Sequence, residues 1–233
     1  MPSDLQVLIL AAITIACLHT LTGPDHYLPF IALSRAKKWS LPRTLFWTII
    51  CGTGHVLSSV VLGLGGAAIG WSLSKLKLLE GIRGSVAGWM LLGFGVVYGI
   101  WGLLQAHRNG RHKHFDVYDD GSVYVYEHQH GTAVVPKDRH AVTPWVLFLI
   151  FVLGPCEPMI PLLYFPAAKH SWWSMGILIL VYSLITLITM IAMVVAGYHG
   201  TRLFKSDVLE KYMHALGGFS IFICGLGMIF LNW

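Results

Sequence analysis

Charge is what this chain has least of. Only 12% of its 233 residues are Asp, Glu, Lys or Arg, while 55% are hydrophobic. An ordinary soluble domain carries roughly 25% charged residues. The mean hydropathy of +0.66 agrees with the deficit. A water-soluble globular domain is excluded, and most of the chain must lie in a membrane. Cysteine is also scarce. Cys17, Cys51, Cys156 and Cys224 all fall inside apolar stretches with no CxxC pair, which excludes a secreted disulfide framework. A basic leader is missing too. Met1-Pro-Ser-Asp-Leu-Gln6 has no positive n-region and no cleavage site follows, so the first apolar run reads as a retained span. The net charge of +5 does not point to nucleic acid, because the basic residues lie between apolar runs and act as topology signals.

What remains is long apolar runs. A span needs about 20 such residues. Six are expected, at 5–24, 44–70, 84–106, 143–167, 172–200 and 211–232. Helices are expected because a helix satisfies its own backbone in lipid. The first run continues apolar past Pro24 to Leu33. A straight helix from Leu5 to Leu33 would be about 43 Å long, more than the ~30 Å hydrocarbon core. Gly23, Pro24 and Pro29 therefore predict a broken or re-entrant segment. Twelve of the sixteen Lys and Arg fall in the linkers after the first, third and fifth runs. The positive-inside rule puts those linkers in the cytoplasm and both termini outside, in a multi-pass inner-membrane protein.

Three spans, a polar linker and three spans suggest two inverted halves: residues 1–106 and 143–233, joined by a His-rich linker at 107–142. Gly154-Pro-Cys-Glu-Pro-Met-Ile-Pro161 breaks the fourth run as Gly23-Pro-Asp-His-Tyr-Leu-Pro29 breaks the first, allowing one residue of gap. Gly93-Phe94 and Gly218-Phe219 match in the third and sixth runs. Paired breaks in inverted halves point to a site near the bilayer midplane. Glycines four apart (66 and 70, 84 and 88, 95 and 99) read as close helix packing.

The polar residues inside the runs form one depth-matched set. His19, Asp25 and His26 flank the first break, His55 lies midway along the second run, and Cys156 and Glu157 occupy the second break. Ionisable groups at that depth are costly and usually functional. Imidazole with carboxylate suits nickel, cobalt, zinc or copper. A mixed nitrogen and oxygen site also binds more reversibly than a cage of thiolates. Other readings stand beside this one. His55 could be a hydrogen-bonding core residue, Asp25–His26 a proton relay, and Glu157 a helix N-terminal cap. Cys17, Cys51 and Cys224 read as packing residues, and His199 and His214 as interfacial.

At these residues the chain resembles the nickel–cobalt transporter superfamily, whose hallmark is a first-helix His followed by an Asp-His pair. Here the stretch is His19, five residues, then Asp25-His26, one residue longer than the usual spacing. Pro24-Asp25-His26 is most similar to the urease-accessory-type branch. Gly154-Pro155-Cys156 and the His-rich linker are similar to the efflux branch. The resemblance implies that His19, Asp25 and His26 ligate metal. It implies a permease and not an enzyme, moving nickel or cobalt by alternating access, with export preferred. Protons are the expected coupling ion and a homo-oligomer the expected assembly. Pro155-Cys156 also resembles membrane thiol-electron relays of the thiol:disulfide interchange type, which is the alternative reading. A further alternative is a metal receptor that does not transport.

The linker carries His112, His114, His128 and His130 around Asp119-Asp120-Gly121-Ser122, a hairpin pattern. Pairing centred on Gly121 sets His112 opposite His130 and His114 opposite His128, which would make a four-imidazole metal site. A two-residue Asp120-Gly121 turn would split the histidines between the two faces. His-rich tracts are a compositional metal signal.

Overall fold

A computed structural model of the chain describes residues 2–108, 111–117, 123–129, 142–156, 158–168, 171–203 and 211–231. Its membrane part is all-helical. Helix α1 (Pro2–Thr22) ends at Gly23, a single 3-10 turn covers Pro24–His26, and α2 (Leu28–Ala36) follows. Then come α3 (Leu41–Ala68) and α4 (Leu73–Arg108). After a two-stranded hairpin, β1 (Arg111–Val117) and β2 (Val123–Gln129), the chain forms α5 (Val142–Leu153) and α6 (Met159–Ala168). Helices α7 (Trp172–Leu203) and α8 (Met213–Phe230) complete it.

Among the described residues, five helices are long and apolar enough to cross a membrane: α1, α3, α4, α7 and α8. The fourth expected run, at 143–167, which Gly154-Pro155 was expected to break, is two short helices: the pair stops α5 and the chain restarts at Met159. The outward surface is apolar along its length. Val7, Leu10, Val61, Val97, Trp173 and Phe230 are all at least 64% exposed. Such a surface is stable only against lipid, so the protein is a multi-pass membrane protein in contact with the bilayer.

Helix α4 begins eleven residues before the expected start at 84. Lys75, Lys77, Glu80 and Arg83 did not end the helix. Lys, Leu, Glu and Arg are good helix formers, and Glu80 and Arg83 pair one turn apart at 2.7 Å. Arg83, expected in a loop, is therefore inside the bundle.

Two apolar cores hold the bundle. One gathers Phe30 and Leu33 of α2, Trp47 and Cys51 of α3, Leu91 of α4, Phe151 of α5 and Ile221 of α8. The other joins Ala12 and Ala16 of α1 with Val56 of α3, Met159 of α6 and Tyr182 of α7. Helix α2 belongs to the interior: Pro29, Phe30, Ile31, Leu33, Ser34 and Ala36 are all buried. The largest helix–helix interface is between α4 and α8. There Gly95 lies against the backbone of Phe222, and Gly218 against that of Gly99, with no room for a Cβ. The close-packing reading of the glycines holds at Gly66, Gly84, Gly88 and Gly95, where a Cβ would lie 3.0 Å or less from a neighbouring atom. Gly70 has a different task, since its φ of 71° ends α3 in the left-handed region.

The hairpin pairs in neither expected register. His112 stands opposite His128, His114 opposite Tyr126, and the ladder ends on Val117 opposite Val123. A β-branched pair closes it, a favourable cross-strand contact. The expected pairing of His114 with His128 is therefore not formed. His130 lies outside the described residues.

Gly95→Ala should destabilise the fold by about 1–3 kcal/mol, the usual cost of overpacking. Gly93→Ala, two residues away with nothing within 4 Å of its Cβ position, should be neutral or stabilising. Thermal melting of both variants in detergent checks the opposite signs.

Candidate functional site

The first helix break makes the site. Pro24 has no N–H and cannot continue α1, so the chain turns through Pro24–His26 and brings residue 26 back over residue 19. The rings of His19 and His26 meet edge to face, with centroids 4.7 Å apart. His55, from the middle of α3, meets His26 in the same way at 5.1 Å. One ligand nitrogen from each of the three imidazoles lies within 4.8 Å of the others. His26 and His55 are almost fully buried, at 2% and 3% exposure. Gly23 is the floor of this cradle, since a Cβ there would fall 2.7 Å from His26 Nδ1 and 2.9 Å from Asp25 Oδ1.

Hydrogen bonds set the ring tautomers. His26 Nδ1 lies 3.0 Å from the Gly23 carbonyl, and His55 Nδ1 lies 3.2 Å from the Phe151 carbonyl. A carbonyl only accepts, so in the neutral ring each Nδ1 carries the proton and donates. Each Nε2 then presents its lone pair. The Nε2 atoms of His19, His26 and His55 are buried without a hydrogen-bond partner, as are Asp25 Oδ1 and Thr20 Oγ1. Asp25 Oδ1 is also 3.3 Å from His26 Nδ1. Three unpartnered Nε2 atoms in one cluster, with the His26 and His55 rings each anchored from behind by a carbonyl, suit imidazole metal ligation. Nitrogens sharing one ion at about 2.0–2.1 Å sit roughly 3.3 Å apart in tetrahedral geometry. A bound cation would therefore draw the rings inward.

The second break abuts the first. The ring of His55 rests against Gly154, where a Cβ would lie 3.1 Å from Nδ1. Phe30 of α2 and Phe151 of α5 pack with their rings tilted by 59°, centroids 4.9 Å apart. The break itself is held from α4. Arg83 donates to the Val152 carbonyl at 2.8 Å and the Gly154 carbonyl at 3.2 Å, at the C-terminal end of α5. Glu80, fully buried, accepts the Cys156 N–H at 3.3 Å, ahead of α6. A cation at a helix C-terminus and an anion at an N-terminus match the helix dipole at both ends. The capping carboxylate is thus seen on Glu80. Glu157, read as a cap or a ligand, lies outside the described residues.

Cys156 shares the break but not the imidazole group. Its thiol points to Tyr182 of α7 at 3.4 Å and is fully buried. Of the expected ligands, the fold brings His19, His26 and His55 together with Asp25 beside them. Sequence reading missed Glu80, Arg83 and Tyr182. The spacing of Glu80 and Arg83, one turn apart, was the only available signal for the pair.

A family model described as the cytochrome c biogenesis protein transmembrane region matches residues 27–227. The chain belongs to that family. No curated protein and no solved structure matches. This membership corrects the nickel–cobalt transporter assignment, and with it the expectation of nickel or cobalt transport. The matched stretch starts just after His26, so the motif that carried the transporter resemblance lies outside it. A short His and Asp-His pattern beside a helix breaker is too small to identify a family, whereas the match covers most of the bundle.

The tautomers are open to direct test. Nitrogen-15 NMR of His-labelled protein at neutral pH should show His26 and His55 protonated on Nδ1 and bare on Nε2. The opposite tautomer in either ring would overturn the ligand geometry.

Proposed function

We propose that the chain serves cytochrome c biogenesis as a membrane thiol–disulfide relay, with Cys156 as the working thiol. Family membership supports the process. The observation that carries the assignment is backbone position. Cys17, Cys51 and Cys224 sit within α1, α3 and α8, whereas Cys156 sits on unwound chain between α5 and α6. Unwound backbone can move without breaking a helix. In the exchange, the Cys156 thiolate attacks one sulfur of a partner protein's disulfide. The other partner sulfur leaves as a thiolate and takes a proton. A second thiol then attacks the mixed disulfide at the Cys156 sulfur, releasing the partner as a dithiol. Cys17 is the thiol assigned to that step. It follows Ala16, which packs in the same apolar cluster as Cys156. Two electrons leave the Cys17–Cys156 pair, and a dithiol donor returns them.

The finer architecture belongs to this proposal. Residues 1–106 and 143–233 form two inverted three-helix halves, each opening on a broken helix, in the inner membrane with both termini outside the cytoplasm. The paired breaks and the distribution of Lys and Arg support it.

Cys156→Ser should lower c-type cytochrome levels at least about tenfold when it replaces the wild-type chain, a loss of roughly 1.4 kcal/mol or more in effective coupling. Haem staining measures this. Acid-quenched alkylation should trap a Cys17–Cys156 disulfide that is absent from the variant. Normal cytochrome levels in Cys156→Ser would sink the relay.

One observation favours a second reading, the three unpartnered Nε2 atoms at the first break. In it the protein receives a divalent transition metal ion there and holds it without moving it across the membrane. Cobalt, nickel, zinc and copper all suit imidazole donors. Purified full-length protein should bind one equivalent of Co2+ with a visible d–d spectrum. His55→Ala and His26→Ala should lose it, and proteoliposomes should show no Co2+ flux. Unchanged binding in both variants would remove this reading.

A further inference from the structure

We infer that Glu80 and Arg83 form the latch that closes the α5–α6 break over Cys156. The inference rests on the reading of Cys156 as the working thiol, and it names the residues that control access to it. The thiol is fully buried, with Tyr182 over its sulfur. A partner disulfide reaches it only when the break opens, so whatever holds the break shut sets the rate of exchange.

The Glu80–Arg83 pair is built for that role. Arg83 ties three elements at one point: its own helix through Glu80 at 2.7 Å, α3 through Ser58 at 2.7 Å and Ser59 at 3.4 Å, and the end of α5 through the two carbonyls. Glu80 completes the closure through the Cys156 N–H. Gly84, the residue after Arg83, allows the close approach, since a Cβ there would lie 2.7 Å from Pro155. In hydrocarbon, carbonyls and N–H groups released by a helix break have no water to turn to. Each contact to the ion pair therefore holds the break closed. Removing one partner leaves the other inside the bundle without its opposite charge, which is strongly unfavourable.

Cys51 and Cys224 supply internal controls. They are buried within α3 and α8, in the apolar core that does not contain Cys156. The full chain in detergent micelles is labelled with N-ethylmaleimide, and each cysteine is followed by mass spectrometry. In Glu80→Gln and Arg83→Gln, Cys156 should label at least about tenfold faster while Cys51 and Cys224 keep their wild-type rates, as expected for local opening. An unchanged Cys156 rate would overturn the latch. So would parallel acceleration at all three thiols, which marks general loosening. If neither charge variant inserts, Ser58→Ala removes a single contact to the guanidinium. It should give the same selective acceleration in smaller measure, and no change there also counts against the latch. The relay fails separately: normal cytochrome levels in Cys156→Ser with selective labelling intact would leave the latch standing and remove the relay.

Discussion

A broken helix in hydrocarbon strands polar backbone groups that water cannot reach. That constraint organises this protein. Both halves of the chain break a helix at a Gly-Pro pair, and both breaks survive only because side chains and turns take up the groups set free. At the first break the 3-10 turn closes on itself, with the His26 N–H and ring both directed at the Gly23 carbonyl. At the second, the released groups are met from outside by α4. Its ion pair places positive charge on the α5 carbonyls and negative charge on the N–H before α6.

The two breaks are one structure. His55 links them, its ring against the first break's histidines and its Nδ1 on the carbonyl of Phe151 at the end of α5. The imidazole group and the thiol thus belong to two adjoining breaks, with the thiol turned to Tyr182. Three bare ring nitrogens on one side and a thiol sealed by Tyr182 on the other give the centre two chemistries, one suited to a cation and one to exchange with a disulfide. The chain's family is described by cytochrome c biogenesis, and the proposed relay uses the thiol side. The geometry of the imidazoles is independent of that assignment.

The transporter resemblance misled for a physical reason. Imidazole and carboxylate beside a helix breaker look alike wherever a membrane helix is interrupted around a polar centre. Eight residues report that local need and say little about the remaining bundle. A match across residues 27–227 samples the packing of nearly every helix. Arg83 shows the opposite error. Read as a loop charge, it is half of the pair that caps the second break, because Leu, Lys and Glu continue α4 through the charges that seemed to bound it.

Hydropathy alone was enough to establish a membrane protein, four of its five long helices within about three residues at both ends, and the two Gly-Pro interruptions. Those properties follow from transfer free energy and from proline's missing N–H, which depend on local sequence. Local sequence also named His19, Asp25, His26 and His55 as a depth-matched set. The tertiary structure decided which of the expected ligands converge, which ring nitrogens are bare, and that Glu80 of α4 holds the N–H of Cys156. Those contacts join residues 76 and 96 positions apart. They depend on how helices pack across the bundle, and no spacing along the chain encodes that distance.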